Sequence, residues 1–275
     1  MLPVRALFGP GRTSQVYGMP GQGRSLALSF ISAALLLLAW WTVTASGLVE
    51  PLFLPSPGEV WQCFKETSSD GFAGATLTTH LLASISRVGG AFLLCILTAV
   101  PVGLAMGVSR VARGLADPPI EFYRPIPPLA YLPLMIIWFG IGEVSKVILI
   151  YLACFAPMVI STRAGVRSAT MEQIHAAYSL GATRTQVLWH VIVKAATPEI
   201  LTGMRIGLGF AWTTLVAAEM VAASQGLGFM ILNAAEFLVT DVVVLGILII
   251  GLIAFATDLL LRVAERKLVP WKGKA

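Results

Sequence analysis

Residues 170–198 read TMEQIHAAYSLGATRTQVLWHVIVKAATP, a long polar interruption in an otherwise apolar chain. Thr170 and Gln173 have the spacing of a capping box, in which each side chain satisfies a free backbone N–H of the other. Gly181 stands just beyond Leu180, where a helix that stops needs a residue in the left-handed region. Thr183 and Gln186 repeat the box, and Thr197-Pro198 predicts a third helix with proline at its first position. Two short helices with a glycine break therefore project between membrane spans, a shape suited to docking rather than to crossing lipid.

Composition supports the membrane reading. Hydrophobic residues make up 57% of the 275 and charged residues 12%, against ~25% charged in ordinary soluble domains. A mean hydropathy of +0.83 leaves too many apolar side chains for a water-facing surface. The chain is all-α and integral to the membrane. Its formal charge of +5 is spread among apolar spans, which excludes a nucleic-acid partner and points to membrane lipid as the surroundings. Cys63, Cys95 and Cys154 show no metal spacing and read as core packing without a disulfide framework.

Outward from the central stretch, the chain predicts about six transmembrane helices: Leu26–Ser46, 84–108, a proline-rich span from about Pro125, 147–161, 198–223 and 242–261. Residues 1–24 read as a flexible tail, with no signal peptide, and 266–275 as a basic tail. Residues 25–265 then form a single transmembrane domain containing the loop 170–198. Ser56-Pro57-Gly58-Glu59 predicts a short helix to about residue 68, Asp70-Gly71 a turn, and Arg110–Arg124 a charged loop. Gly103 and Gly107 have the GxxxG spacing that lets helices approach closely. Residues 224–240 predict an interfacial or re-entrant helix. With both termini cytoplasmic, sixteen of the nineteen basic residues fall on the cytoplasmic side, and only Lys65, Arg87 and Lys146 lie outside. This positive-inside bias places residues 170–198 in the cytoplasm.

The same residues carry a family likeness. HAAYSLGATRTQVLWHVIVKAATPEILTGMRIGLG resembles the "EAA" cytoplasmic loop of bacterial ABC-importer permeases. PLFLPSPGEVW, HLLASISRV, DPPIEFYRPIPPLAYLPLMIIWFGIGE and LVAAEMVAASQGLGFMI are similar to the taurine, alkanesulfonate and nitrate permeases, most of all to the taurine branch. His175 stands where that family usually has glutamate, and Val193-Lys194 replaces its L-P pair, while Ala176, Ala177 and Gly181 match. The resemblance implies the type I importer fold in the bacterial inner membrane and transport of taurine or a related sulfonate, or else of another small anion such as nitrate. It also implies a second permease copy, two cytoplasmic ATPases and a periplasmic binding protein as partners.

The loop would then be a coupling helix seated in an ATPase cleft, with His175, Ala176, Ala177, Tyr178, Leu180, Gly181, Arg184 and Gln186 as contact residues. Small Ala176 and Ala177 allow close approach, and Ile174, Tyr178 and Leu180 offer an apolar face. Arg87 and Glu219 are candidates for the pathway or a gate, because an acid within a span is costly to keep, although snorkelling at the interface also accounts for Arg87. Asp258 and Arg262 have the spacing of a local ion pair.

No GxxxxGK[ST] phosphate loop occurs, so the subunit reads as non-catalytic, with no cofactor or metal of its own. An ion-coupled secondary transporter would show inverted repeats and midplane acids, and neither is found. An intramembrane enzyme would need facing catalytic groups, whereas all three histidines fall outside the predicted apolar cores.

Overall fold

The computed structural model describes residues 26–271, with side chains from residue 30 onward. The tail expected over 1–24, and Lys272 and Lys274 of the basic tail, lie outside the described residues. Two compact units are distinguished, one up to Pro57 and one from Gly58 onward. The first contains the apolar helix α1 (Leu26–Ala45), after which the chain turns and Trp40 Nε1 donates to the Pro55 carbonyl at 3.0 Å.

The second unit is helical throughout its regular elements. It contains α2 (Pro57–Ser69), α3 (Leu77–Val108), α4 (Arg110–Tyr123), a 3₁₀ turn (Pro128–Tyr131), α5 (Leu132–Phe139) and α6 (Glu143–Val166). There follow α7 (Met171–Ser179), α8 (Arg184–Val187), a π turn (Leu188–Ile192), α9 (Val193–Ala222), α10 (Leu227–Glu236) and α11 (Thr240–Leu268). Four stretches are long and apolar enough to cross a membrane: α3, α6, α11 and the continuous 39-residue run from Arg184 to Ala222. The shorter apolar helices are Phe30–Ala45, Pro128–Phe139 and α10.

The centre of the unit is α6, packed between α3 and α9. Between apolar helices in lipid, association depends on close van der Waals packing, so small residues mark the crossings. A Cβ on Gly103 would stand 2.6 Å from Thr162 Cβ of α6, and one on Gly107 would overlap the Val166 side chain. Across the other face of α6, a Cβ on Gly203 of α9 would fall 2.5 Å from Ser161 Cβ. The GxxxG spacing thus marks a true crossing of α3 with α6. Cys95 and Cys154 are buried in this core and Cys63 is on the buried face of α2; all three are free thiols. α11 is the least buried long helix, with Leu252 and Phe255 about two-thirds exposed at 67% and 65%, an apolar surface for lipid or another subunit.

Three local expectations change. Residues 110–124, expected as a charged loop, form α4, because Ser109 Oγ caps the Ala112 N–H at 3.2 Å and Arg163 of α6 pairs with Asp117 and Glu121. The proline-rich span is not a single helix from Pro125. It resumes only as the 3₁₀ turn and the eight-residue α5, ~12 Å long against the ~30 Å of a bilayer core. Pro198 does not begin a helix; it lies inside α9. Its missing N–H cannot serve the Lys194 carbonyl, and the π turn immediately before α9 widens the coil there. The Thr197 hydroxyl also donates to the Val193 carbonyl at 2.8 Å.

Candidate functional site

Two polar constructions lie at opposite ends of the helix bundle. At the first, α7 begins with the predicted box: the Gln173 N–H donates to Thr170 Oγ1 at 3.3 Å, and the Thr170 N–H to Gln173 Oε1 at 3.1 Å. It ends with Gly181 at φ +84°, and the Ala182 N–H reaches back to the Ala177 carbonyl while the Gly181 N–H reaches Tyr178. That pair of bonds is a Schellman stop, which requires the left-handed residue at this place. Thr183 and Gln186 close the second box, the Thr183 N–H donating to Gln186 Oε1 at 2.8 Å. The Gln186 side-chain oxygen Oε1 is therefore engaged in the cap.

α7 buries no residue. Leu180 is 89% exposed, and His175, Ala176, Tyr178 and Arg184 are exposed beside it, with Ala177 half-buried. Local hydrogen bonds define the shape of the stretch while its outer face is left without a covering element. Such a face is suited to insertion in a complementary cleft.

The second construction is a charge cluster joining α3, α6 and α9 to the start of α10, with Arg87, Lys146 and Glu219 buried and Glu143 exposed at its edge. Arg87 is 5% exposed and grips Glu143 with two nitrogens, Nε to Oε2 at 2.5 Å and Nη2 to Oε1 at 2.7 Å. Its Nη1 donates to Glu219 Oε1 and to the Gln225 carbonyl, both at 2.6 Å. Lys146 Nζ adds a bond to Glu143 at 2.9 Å. Two cations and two carboxylates balance, which is what permits charge at this depth.

The same cluster caps α10. The Gly226 N–H donates to His80 Nδ1 at 3.0 Å, the Leu227 N–H to Ser84 Oγ at 2.9 Å and the Gly228 N–H to Glu219 Oε2 at 2.8 Å. Three orphan donors of a helix start thus meet acceptors from two other helices, and the carboxylate also faces the positive end of the dipole. His80 Nε2 donates to the Phe72 carbonyl at 3.0 Å, the tautomer consistent with Nδ1 as acceptor. Ser84 Oγ donates to the Glu219 carboxylate. Gly226 lies so close to that carboxylate that a Cβ would overlap it, and its φ is +134°.

The structure brings Arg87 and Glu219 together, and Arg87 is not a snorkelling surface residue. Sequence reading missed Ser84, Glu143, Lys146 and His80 as their partners. A signal existed: His80, Ser84 and Arg87 follow i, i+4, i+7 and so share one face of α3. Asp258 and Arg262 form the expected pair at 2.6 Å, and Arg205 of α9 joins them at 2.9 Å from Asp258. Among the described residues no group of three or more His, Cys, Asp or Glu is placed to hold a metal. On α2, burial pushes the Cys63 thiol up to about 11.

Residues 99–270 match the family model of the binding-protein-dependent transport system inner membrane component. The chain belongs to this family. It is accordingly a multi-pass inner membrane permease. It is 55% identical over 252 residues, 91% of this chain and 92% of the relative, to the taurine transport system permease protein TauC of Escherichia coli K12. It is 37% identical to a putative aliphatic sulfonates transport permease protein, SsuC of Bacillus subtilis, over 87% of this chain and 86% of that one. It is also 28% identical to the nitrate import permease protein NrtB of a Synechocystis strain, over 88% and 89%. Among solved structures, an inward-facing form of the MetNI methionine ABC transporter aligns with a TM-score of 0.55 and 18% identity, covering 67% of this chain and 94% of that one. That likeness concerns the fold, which is the type I permease fold.

Proposed function

We propose that this permease subunit carries taurine or a closely related small sulfonate inward, driven by ATP hydrolysed on separate subunits. The observation that carries this reading is the 55% identity to TauC across nearly the full length of both chains. The assembly would contain two copies of this chain, two cytoplasmic ATPases and a periplasmic binding protein, with both termini of the permease cytoplasmic. The subunit itself performs no catalysis. A broader sulfonate range is favoured by the 37% identity to SsuC.

In this mechanism α7 is the coupling helix. Leu180, 89% exposed, would enter an apolar recess of the ATPase, and complete burial of a leucine side chain contributes about 1.5–3 kcal/mol. Exposed Ala176 and half-buried Ala177 let the helix approach closely, and His175, Tyr178, Arg184 and Gln186 supply polar contacts. Closure of the ATPases on ATP would move the two docked α7–α8 elements together. The continuous run from Arg184 to Ala222 would carry that motion to the far end, and the connection from α7 through residues 167–170 would carry it into α6. The spans would thereby shift between inward- and outward-open states.

At the far end Arg87 and Glu219 act as a latch. They hold α3, α6, α9 and the start of α10 in one arrangement, and opening requires the pairs to separate together.

The test is growth of a strain lacking this gene with taurine as sole sulfur source. The reading predicts loss of growth, restored by the wild-type gene. Undiminished growth, with no second taurine importer present, would refute it.

A further inference from the structure

Two prolines interrupt the helical chain between α4 and the 3₁₀ turn, level with the middle of α6 and α9. α4 ends at Tyr123, Pro125 and Pro127 prevent its continuation, and helical geometry returns only at Pro128. Ala153 and Pro157 lie near the middle of α6, and Phe210 near the middle of α9; all three face the break. Between them is a cavity of about 240 Å³, also lined by Tyr123, Arg124 and Tyr131. Irregular backbone at membrane depth is tolerated where it is buried in protein or lines a hydrated cavity. Arg124, about half exposed, is among the residues lining this cavity and is its one basic group.

The polar groups at the cavity are incompletely used. Arg124 has a long ion pair to Glu121 at 3.8 Å, and Glu121 is shared with Arg163. Tyr123 Oη is buried beside the Ala156 backbone and has no hydrogen-bond partner of normal geometry. The Ala153 carbonyl cannot receive its usual helical bond, because Pro157 has no N–H to give. A guanidinium and a phenol are donors for an oxyanion, and a spare carbonyl is an acceptor for an ammonium.

We propose that this cavity is a transient substrate subsite for a small aminosulfonate. Arg124 takes the sulfonate oxygens in a charge-assisted pair. Tyr123 donates a further bond, and the Ala153 carbonyl accepts from the ammonium. Phe210 and the proline rings cover the short carbon chain. One cation in an open cavity binds weakly, as conduction requires, since a substrate held tightly could not leave. The proposal rests on the transport reading above and adds a location and a chemistry to it.

The test uses the whole importer, with its ATPases and binding protein, in liposomes. Arg124→Gln should lower taurine uptake at least tenfold while ATP hydrolysis stimulated by loaded binding protein stays within twofold of wild type. Arg124→Lys should recover part of the uptake. Unchanged uptake in Arg124→Gln, or ATP hydrolysis falling in parallel with uptake, would overturn the subsite.

A second readout does not depend on that variant assembling. Ala153→Cys, in a chain whose native cysteines are replaced by alanine, is treated with an anionic sulfonatoethyl or a cationic trimethylammonioethyl thiosulfonate reagent. The anionic reagent should react at least fivefold faster, and taurine should slow it. Equal rates, or no protection by any transported anion, would overturn the proposal. A wild-type importer that accumulates nitrate or a longer alkanesulfonate but not taurine would instead refute the substrate assignment. In that case, slowing of the anionic reagent by the anion actually carried would support the cavity as its site.

Discussion

Glu219→Gln tests the latch most sharply, because the change keeps shape and removes one charge. The carboxylate is fully buried and accepts from Ser84, Arg87 and the Gly228 N–H. In the variant an amide N–H₂ must face either the Gly228 N–H or the Arg87 guanidinium, so one donor meets another. Arg87 then keeps the Gln225 carbonyl but only one carboxylate, Glu143, which also serves Lys146, and the cluster carries an uncompensated positive charge. Breaking a buried pair by removing one partner costs about 3–5 kcal/mol. Three of those kcal/mol correspond to a factor of roughly 100 in an equilibrium constant. Denaturant titration of the purified protein measures the cost, and amide hydrogen exchange at residues 226–228 locates it, where protection should fall first. Arg87→Met added to Glu219→Gln should be less damaging than the sum of the two, because Glu143 and Lys146 remain a balanced pair. A Glu219→Gln variant within about 0.5 kcal/mol of wild type, with unchanged exchange at α10, would refute the latch.

Other consequences are as definite. Leu180→Asp should leave the fold intact, since the side chain is 89% exposed, yet abolish co-purification with the ATPase; retained co-purification would count against coupling. Gly181→Ala costs about 1–2 kcal/mol in backbone strain alone, because its Cβ would meet nothing within 4 Å, so any loss of uptake would report loop geometry and not a clash. Gly103→Val must push α3 from Thr162, destabilising the bundle by about 1–3 kcal/mol in a denaturant titration. Cys63 should resist maleimide at pH 8, where roughly a thousandth of a thiol titrating at about 11 is thiolate. Its reaction should quicken as pH rises towards that value, or at once on unfolding.

The loop was legible because capping is local chemistry. Thr170 with Gln173, Thr183 with Gln186, and Gly181 act within a few residues of themselves, and the structure places each as the spacing predicts. The Gly103–Gly107 crossing was legible for a similar reason, small residues being needed wherever helices meet. The latch was less so. Glu143 lies 56 residues from Arg87 and Glu219 lies 132 away, and one sequence does not record which distant charges meet. α4 was missed although Ser109 caps it locally, because its ion-pair partner Arg163 lies 46 residues from Asp117. Pro198 misled because proline at a helix start and proline inside a π-widened helix look alike in sequence.

The central claim is tested most directly by uptake of radiolabelled taurine into liposomes containing the permease, its ATPases and internal ATP, with binding protein outside. The account predicts accumulation that requires ATP and the binding protein and is unaffected by a protonophore. Accumulation without ATP, collapsing when the protonophore is added, would contradict it.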